Sequence, residues 1–296
     1  MANSRTNHLI TFAAFFIVGV VRCEEVSRSR TDQNSSSAYP GGFSFEIIMT
    51  KLQVLEYNVD RMAKSITQLV ETTQPLIAEL RGSNFTSCSK LPVNVSGIYK
   101  IQPEKPFKQP MSVLRDQEYE SGGWTVIQQR FDGSVDFYRG WQEYKNGFGS
   151  LEGEFWLGLD RIHQLTASKP NELVVLLEDF DGNRTYARYE RFSIGDEAQK
   201  YLVASIDGYS GTAGNAMSGI KGVPFTTLDS DNDTWYKNCA VQFTGAWWYT
   251  ACHSSNLNGR YLRGETKEYA SGMVWYEFRG HYYALKSSKM MIRSKE

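Results

Sequence analysis

Three carboxylates alternate along Asp229-Ser-Asp231-Asn-Asp233, and just beyond them Cys239 and Cys252 bracket an aromatic run that ends at His253. Alternate acids supply hard oxygen ligands, the donor type that Ca2+ selects. Counted as a helix-loop-helix calcium site from Asp229, the sixth position would need Gly and the twelfth Glu, but the chain has Thr234 and Ala240 there. A calcium loop here is therefore of another kind, in which carboxylates neutralise the ion and carbonyls or water complete six to eight oxygens. The bare spacing fits a solvated acidic turn equally well. Cys239 and Cys252 are natural partners in an oxidising compartment, where closing a loop of this length stabilises by about 3 kcal/mol in the chain-entropy model.

The residue types needed for catalysis are sparse. The four histidines are His8, His163, His253 and His281, with no zinc-spaced pair, and neither a Gly-x-Ser-x-Gly elbow nor a phosphate-cradling glycine loop is present. Glu178-Asp179 reads as a solvated turn and His163 as structural, so the chain is expected not to be an enzyme. With 32 basic and 33 acidic residues no global field points to nucleic acid or an anionic membrane. Aromatic residues make up 14 % of the chain, enough for a β-rich core with rings left to line a ligand surface.

These groups must be positioned by a chain of several parts. Residues 1–23 read as a signal peptide: the apolar run Leu9–Val21 follows Arg5, precedes a cleavage site near Cys23, and is shorter than the roughly 20 residues a bilayer span needs. Export follows as the expected localisation. Residues 24–42, rich in Ser, Asn, Arg and Gly, read as a flexible arm. Over 43–80 a heptad takes over, with apolar residues at Phe45, Ile48, Leu52, Leu55, Val59, Met62, Ile66 and Leu69 until Thr73 and Pro75 break the seam. Such a stripe predicts a coiled coil that makes dimers or trimers; a single amphipathic helix lying on the following domain would show similar periodicity. From about residue 87 short alternating runs such as Trp124–Gln128 and Leu173–Leu177, turns at Asp132-Gly133, Asp181-Gly182 and Asn258-Gly259, and short helices near 158–165 and 196–201 predict one α+β domain with antiparallel pairing. Sequons at Asn34, Asn84, Asn94 and Asn183 are candidate glycan sites, whereas Asn232 lies between two candidate metal ligands.

The blocks Gly122-Gly-Trp-Thr-Val-Ile-Gln-Gln-Arg130, Asp132-Gly-Ser134, Glu154-Phe-Trp-Leu-Gly-Leu159, Asp181-Gly-Asn183, Gly208-Tyr-Ser-Gly211, Gly245-Ala-Trp-Trp-Tyr249 and Met290-Met-Ile-Arg293, in order over residues 87–296, resemble the fibrinogen-related domain, and among its members the ficolins, tachylectins and arthropod lectins. The resemblance implies a secreted, calcium-dependent domain that binds acetylated sugars and other acetyl groups on microbial surfaces. The calcium ligands it implies are the carboxylates of Asp231 and Asp233 and the main-chain carbonyls of Trp235 and Lys237. It also implies an acetyl pocket at Phe243, Ala251, Cys252, His253, Tyr269, Ala270 and His281, with a cis bond before Cys252. Such a pocket makes chemical sense, since a methyl group needs an apolar cup and the acetyl oxygen a donor. Two positions depart from the pattern. The usual partner of Cys88 is replaced by Arg115, so Cys88 is expected either to bridge two chains or to be a buried thiol, and His281 stands where tachylectin-like pockets carry tyrosine. The Cys-His-Ser-Ser-Asn-Leu-Asn-Gly run from Cys252 favours a lectin; the alternative is a secreted angiopoietin- or tenascin-like ligand for a protein receptor.

Overall fold

In the computed structural model the last strand of the chain lies at the centre of the sheet. This structure describes residues 42–82, 88, 95–103 and 110–295, with side chains of the first helix described over 48–73. The signal peptide, the arm as far as residue 41 and the sequons at Asn34, Asn84 and Asn94 lie outside the described residues; Gly42, the last residue of the expected arm, opens the first helix. Strand β13 (Ser287–Ser294) pairs antiparallel with β3 (Trp124–Arg130) on one side and with β6 (Asn171–Glu178) on the other. Its Met290-Met-Ile292 run is buried on both faces, as expected for a central strand. Leu173-Val-Val in β6 is fully buried for the same reason.

The sheet continues outward through β7 (Arg184–Ile194) and β8 (Val203–Gly211) on one side, and through β2 (Met111–Asp116) and β1 (Gly97–Ile101) on the other. Short β4 (Phe148–Gly149) and β5 (Phe155–Trp156) join at β3. All these pairings are antiparallel. Helix α1 (Gly42–Gly82) comes first in the chain; the later helices are α2 (Trp141–Asn146), α3 (Leu159–Ser168), α4 (Cys239–Gln242) and α5 (Tyr276–Arg279), with a 3-10 turn at Glu197–Gln199. Leu159, Ile162 and Leu165 give α3 a buried face that packs on β7.

Most of the aromatic excess is core. Trp124, Trp156, Trp247, Trp248 and Trp275 are all fully buried. Trp248 meets Phe225 at 5.1 Å, Trp247 at 5.2 Å and Phe192 at 6.1 Å between ring centroids, largely edge to face.

Residues 225–284 carry little regular structure. Two-residue ladders join β9 (Ser255–Asn256) to β11 (Val274–Trp275) and β10 (Gly264–Glu265) to β12 (Tyr283–Ala284). Sheet side chains hold this region by reaching into it. Gln128 Nε2 donates to the Leu257 carbonyl and to Asn258 Oδ1, Arg130 Nη1 donates to the Gly259 carbonyl, and Asn258 Nδ2 donates to the Ala246 carbonyl. All three side chains are buried, so each bond also satisfies a group that water cannot reach.

The helix runs through Pro75, where the seam breaks, to Gly82; proline removes one backbone bond, and near it the Thr72 and Thr73 hydroxyls donate back to the Gln68 and Leu69 carbonyls. One local expectation changes. Asp179 is not a solvated turn residue. Its side chain is fully buried, accepts from the Asp181 and Asn183 backbone N–H groups, and pairs with Arg279 at 2.6 Å. Arg279 also meets Asp181 at 2.8 Å and lies 4.0 Å over the Tyr283 ring, tying α5 to the β6–β7 turn.

Candidate functional site

The acidic run divides between two tasks. Asp229 turns to α2, where its Oδ1 accepts from the Trp141 backbone N–H at 2.8 Å and from the Thr227 hydroxyl at 2.7 Å. A carboxylate at the first turn of a helix satisfies a donor that has no partner within the helix. Asp231 is exposed and Asp233 half-buried. The Asp233 carboxylate accepts from the Trp235 backbone N–H at 2.9 Å through Oδ1 and from the Cys239 backbone N–H at 2.8 Å through Oδ2. Burial, followed by the neighbouring Asp231 charge, raises the Asp233 pKa against the pull of those two backbone donors.

Among the described residues no Lys or Arg forms an ion pair with Asp231 or Asp233, so the two adjoining carboxylates form a centre that a divalent ion would relieve, and each Asp233 oxygen keeps a second lone pair for that purpose. Asp231 and Asp233 thus fit a calcium ion. Among the described residues no three His, Cys, Asp or Glu side chains converge, so carbonyls or water would have to complete its shell. Of the two residues whose carbonyls are expected to serve, Trp235 is half-buried and Lys237 is exposed, its ammonium 5.3 Å from the Tyr236 ring centre. Asn232 gives its side-chain nitrogen to the Phe225 carbonyl at 2.8 Å and to Ser230.

The acidic loop is joined to the pocket segment in two ways. Cys239 and Cys252 form a disulfide with Cα atoms 5.7 Å apart, and the Thr234 backbone N–H donates to the Thr250 carbonyl at 3.3 Å. The Ala251–Cys252 peptide is cis. Thr250 donates from its backbone N–H to the Cys252 carbonyl at 2.8 Å.

Five of the seven expected pocket residues form one cluster. His253 faces Phe243 at 4.9 Å and His281 at 5.7 Å between ring centres, and Tyr269 faces His281 at 5.0 Å and Phe243 at 6.4 Å. Ala270 closes it through the backbone: its carbonyl faces His253 Nε2 at 3.1 Å, and its N–H donates to the His281 carbonyl at 3.0 Å. Ala251 is exposed and Cys252 half-buried; both border a second hollow of about 240 Å³ that His253 shares with Ser218 and Trp247. If Nε2 of His253 carries the proton toward Ala270, Nδ1 is a buried acceptor without a protein donor; His281 Nδ1 is likewise buried and unpartnered. Burial first, and then the nearby His281, push the His253 pKa down to about 3, and burial lowers that of His281. Burial thus favours the uncharged form of both rings.

Residue types at Tyr249, Asn256 and Tyr276 gave no reason to place them here, yet they complete the site. Asn256 is fully buried; its Oδ1 accepts from the Tyr249 hydroxyl at 2.6 Å, and its Nδ2 donates to the Phe243 and Ala270 carbonyls at 3.3 and 3.4 Å. One amide thus fixes two walls of the pocket. Gly245 is glycine for the same reason, since a Cβ there would lie 2.7 Å from Asn256 Oδ1 and 2.8 Å from the Tyr249 hydroxyl. Tyr276, half exposed, lies 4.7 Å from the His281 ring centre. The only sequence signal for Asn256 was its place in the Ser-Ser-Asn-Leu-Asn-Gly run.

Cys88 is buried at 1 % exposure, and burial raises its thiol pKa to about 11, against weaker lowering by the Thr125 side chain and the Arg115 charge. This geometry suits the buried-thiol alternative, because a bridge to another chain needs an accessible sulfur. Asn183 sits exposed in the β6–β7 turn, with Nδ2 donating to Asp179 at 2.9 Å.

An antiparallel sheet with the C-terminal strand at its centre, joined to a loop-built aromatic cluster beside an acidic turn, defines a fibrinogen-type domain. Residues 86–295 match the model for the C-terminal globular domain of fibrinogen β and γ chains, and the chain belongs to that family. It is 48 % identical over 201 residues to Fibrinogen C domain-containing protein 1 of Macaca fascicularis, a match covering 67 % of this chain and 46 % of that protein, so the chain spans less than half of its relative's length. Among solved structures it is similar to the fibrinogen-like globe domain of human ANGPTL2, with a TM-score of 0.69 and 41 % identity over 72 % of this chain and all of that one. Lamprey fibrin D-dimer, complexed with the peptide ligand Gly-His-Arg-Pro-amide, matches at TM-score 0.67 and 30 % identity, covering 84 % of this chain and 90 % of that one.

Proposed function

We propose that the chain is an exported, calcium-dependent pattern-recognition lectin that binds acetylated sugars and other acetyl groups through the cup around His253. The observation that carries this reading is the cluster of Phe243, His253, Tyr269 and His281 rings gathered around the Ala270 backbone. The methyl packs against Phe243 and Tyr269, and backbone N–H groups near Cys252 and His253 serve the acetyl oxygen. A calcium ion held by Asp231 and Asp233, with the Trp235 and Lys237 carbonyls, would neutralise the two carboxylates. Asp233 already fixes the N–H of Cys239, and Cys239 is bonded to Cys252, so the acidic loop bears on the pocket through the backbone and not through the ligand.

Self-association through α1 multiplies weak single sites into avidity of about 100-fold or more on a repetitive surface. The second reading, a signalling or matrix ligand for a protein receptor, draws on the likeness to the globe domains of human ANGPTL2 and ANGPTL6, each at 41 % identity. A glycan array carrying N-acetylated and free amino sugars, run with and without chelator, separates the two. The lectin reading expects calcium-dependent binding of the acetylated set, and a receptor ligand shows no acetyl preference.

A further inference from the structure

His253 and His281 stand side by side with ring centres 5.7 Å apart and planes at 78°. The Nδ1 atom of each is buried and, among the described residues, meets no hydrogen-bond partner. One residue ties the two together. His253 Nε2 faces the Ala270 carbonyl at 3.1 Å, and the Ala270 N–H donates to the His281 carbonyl at 3.0 Å. An imidazole that donates from one nitrogen to a main-chain carbonyl keeps the other as a lone pair of fixed direction, the arrangement that metal-binding histidines use. On His281 no protein group holds the proton on Nδ1, so that nitrogen is available as well. Burial favours the neutral form of both rings, which is the form that ligates.

We propose that His253 and His281 together bind a divalent transition-metal ion, Zn2+ or Cu2+, through their Nδ1 atoms. The ring spacing suits one shared ion. A zinc ion about 2.0–2.1 Å from each nitrogen lies roughly 3.2 Å from each ring centre, and two rings at tetrahedral angles around it stand about 5.2 Å apart. The observed 5.7 Å differs from that by an amount that a small side-chain rotation removes. This site is chemically separate from the acidic turn, because imidazole suits Zn2+ and Cu2+ whereas carboxylates and carbonyls suit Ca2+. Among the described residues no third His, Cys, Asp or Glu joins the pair, so water fills the remaining positions and the ion stays exchangeable. Tyr269 and Tyr276, with rings 5.0 and 4.7 Å from that of His281, are each at least half exposed within residues 68–296, and turning them outward opens the pair to solvent. The same two imidazoles wall the cup around Ala270, so an ion held on them takes the room of an acetyl group. Zn2+ or Cu2+ therefore displaces that ligand, a consequence that rests on the function proposed above.

The test titrates the full chain with Zn2+ or Cu2+, keeping Ca2+ in excess so that Asp231 and Asp233 are satisfied. In imidazole NMR, substoichiometric Cu2+ should broaden the His253 and His281 signals together, while His163, whose Nδ1 faces the Ile194 carbonyl at 2.9 Å, stays sharp. Two unaffected rings at one equivalent of Cu2+ overturn the site. By calorimetry Cu2+ should bind more tightly than Zn2+. Losing an outer-shell partner alone weakens a metal site by about 10–100-fold, so His253→Phe and His281→Phe should each weaken Zn2+ binding by at least about tenfold. Unchanged affinity in both variants overturns the assignment. These measurements contain no sugar, so they stand apart from the lectin reading: a chain that takes the ion yet binds no N-acetylglucosamine without it overturns that reading and keeps the site. Saturating Zn2+ should lower the affinity for N-acetylglucosamine by about tenfold or more. Equal sugar affinity with and without Zn2+ overturns the displacement.

Discussion

Replacing Asn256 by alanine should damage the pocket out of proportion to the few atoms removed. The substitution strips the buried Tyr249 hydroxyl of its acceptor at 2.6 Å and the Phe243 and Ala270 carbonyls of their common donor. An orphaned buried polar group costs about 1–3 kcal/mol. The hydroxyl should bear most of this, because the two carbonyl bonds are longer, so a total near 3 kcal/mol is expected before relaxation. Against a global stability of about 5–15 kcal/mol the fold survives while the pocket loosens. Urea unfolding at fixed calcium measures the loss, and a double-mutant cycle with Tyr249→Phe isolates the shared bond. Tyr249→Phe removes the group left stranded, so Asn256→Ala should cost about 1 kcal/mol or more less in that background. Equal costs in both backgrounds, or a loss below about 0.5 kcal/mol, would refute the role given to this amide.

The remaining expectations concern charge, redox state and modification. Asp233→Asn and Asp231→Asn should each lower the calcium-dependent rise in melting temperature and weaken acetyl-ligand binding; the chelated form of the Asp231 variant should melt like the parent, whereas Asp233→Asn should also destabilise the chelated form, because an amide has one acceptor oxygen where the carboxylate serves both the Trp235 and Cys239 N–H groups; an undiminished calcium response in both variants would argue against this ligand set. His253 and His281 have folded pKa values below the unfolded value, so the unfolded chain takes up protons first, and stability should fall as pH drops below about 6.5. The slope approaches about 1.4 kcal/mol per pH unit for each histidine that stays neutral in the fold. Urea midpoints between pH 7 and 5, above the range where most carboxylates titrate, test this, and a flat profile there contradicts it. Cys88 should resist thiol reagents at pH 8 in the native chain and react on unfolding, and rapid native labelling would contradict its burial. Asn232 should carry no glycan in peptide mapping, because its side-chain nitrogen is already committed to Phe225 and Ser230.

What the sequence could convey follows from how local each signal is. Leu173–Leu177 reads as a buried strand because apolar residues in succession have few other uses, and β6 includes it. The Cys239–Cys252 pairing is readable from loop length, and the structure joins those two residues. The roles of Asp179 and Asp229 were hidden, since Arg279 and Trp141, which meet them, lie 100 and 88 residues away. Asn256 was hidden for a related reason: a buried amide and a solvated turn amide look alike in sequence. At Cys88 the sequence offered two readings, and only burial distinguishes a sulfur that can reach another chain from one that cannot.

Crystals of the calcium-loaded chain soaked with N-acetylglucosamine test the central claim most directly. The account predicts an ion bound by Asp231 and Asp233, and the acetyl methyl seated between Phe243 and Tyr269 beside His253. A sugar bound elsewhere, or a vacant cup at saturating sugar with the ion in place, would contradict it.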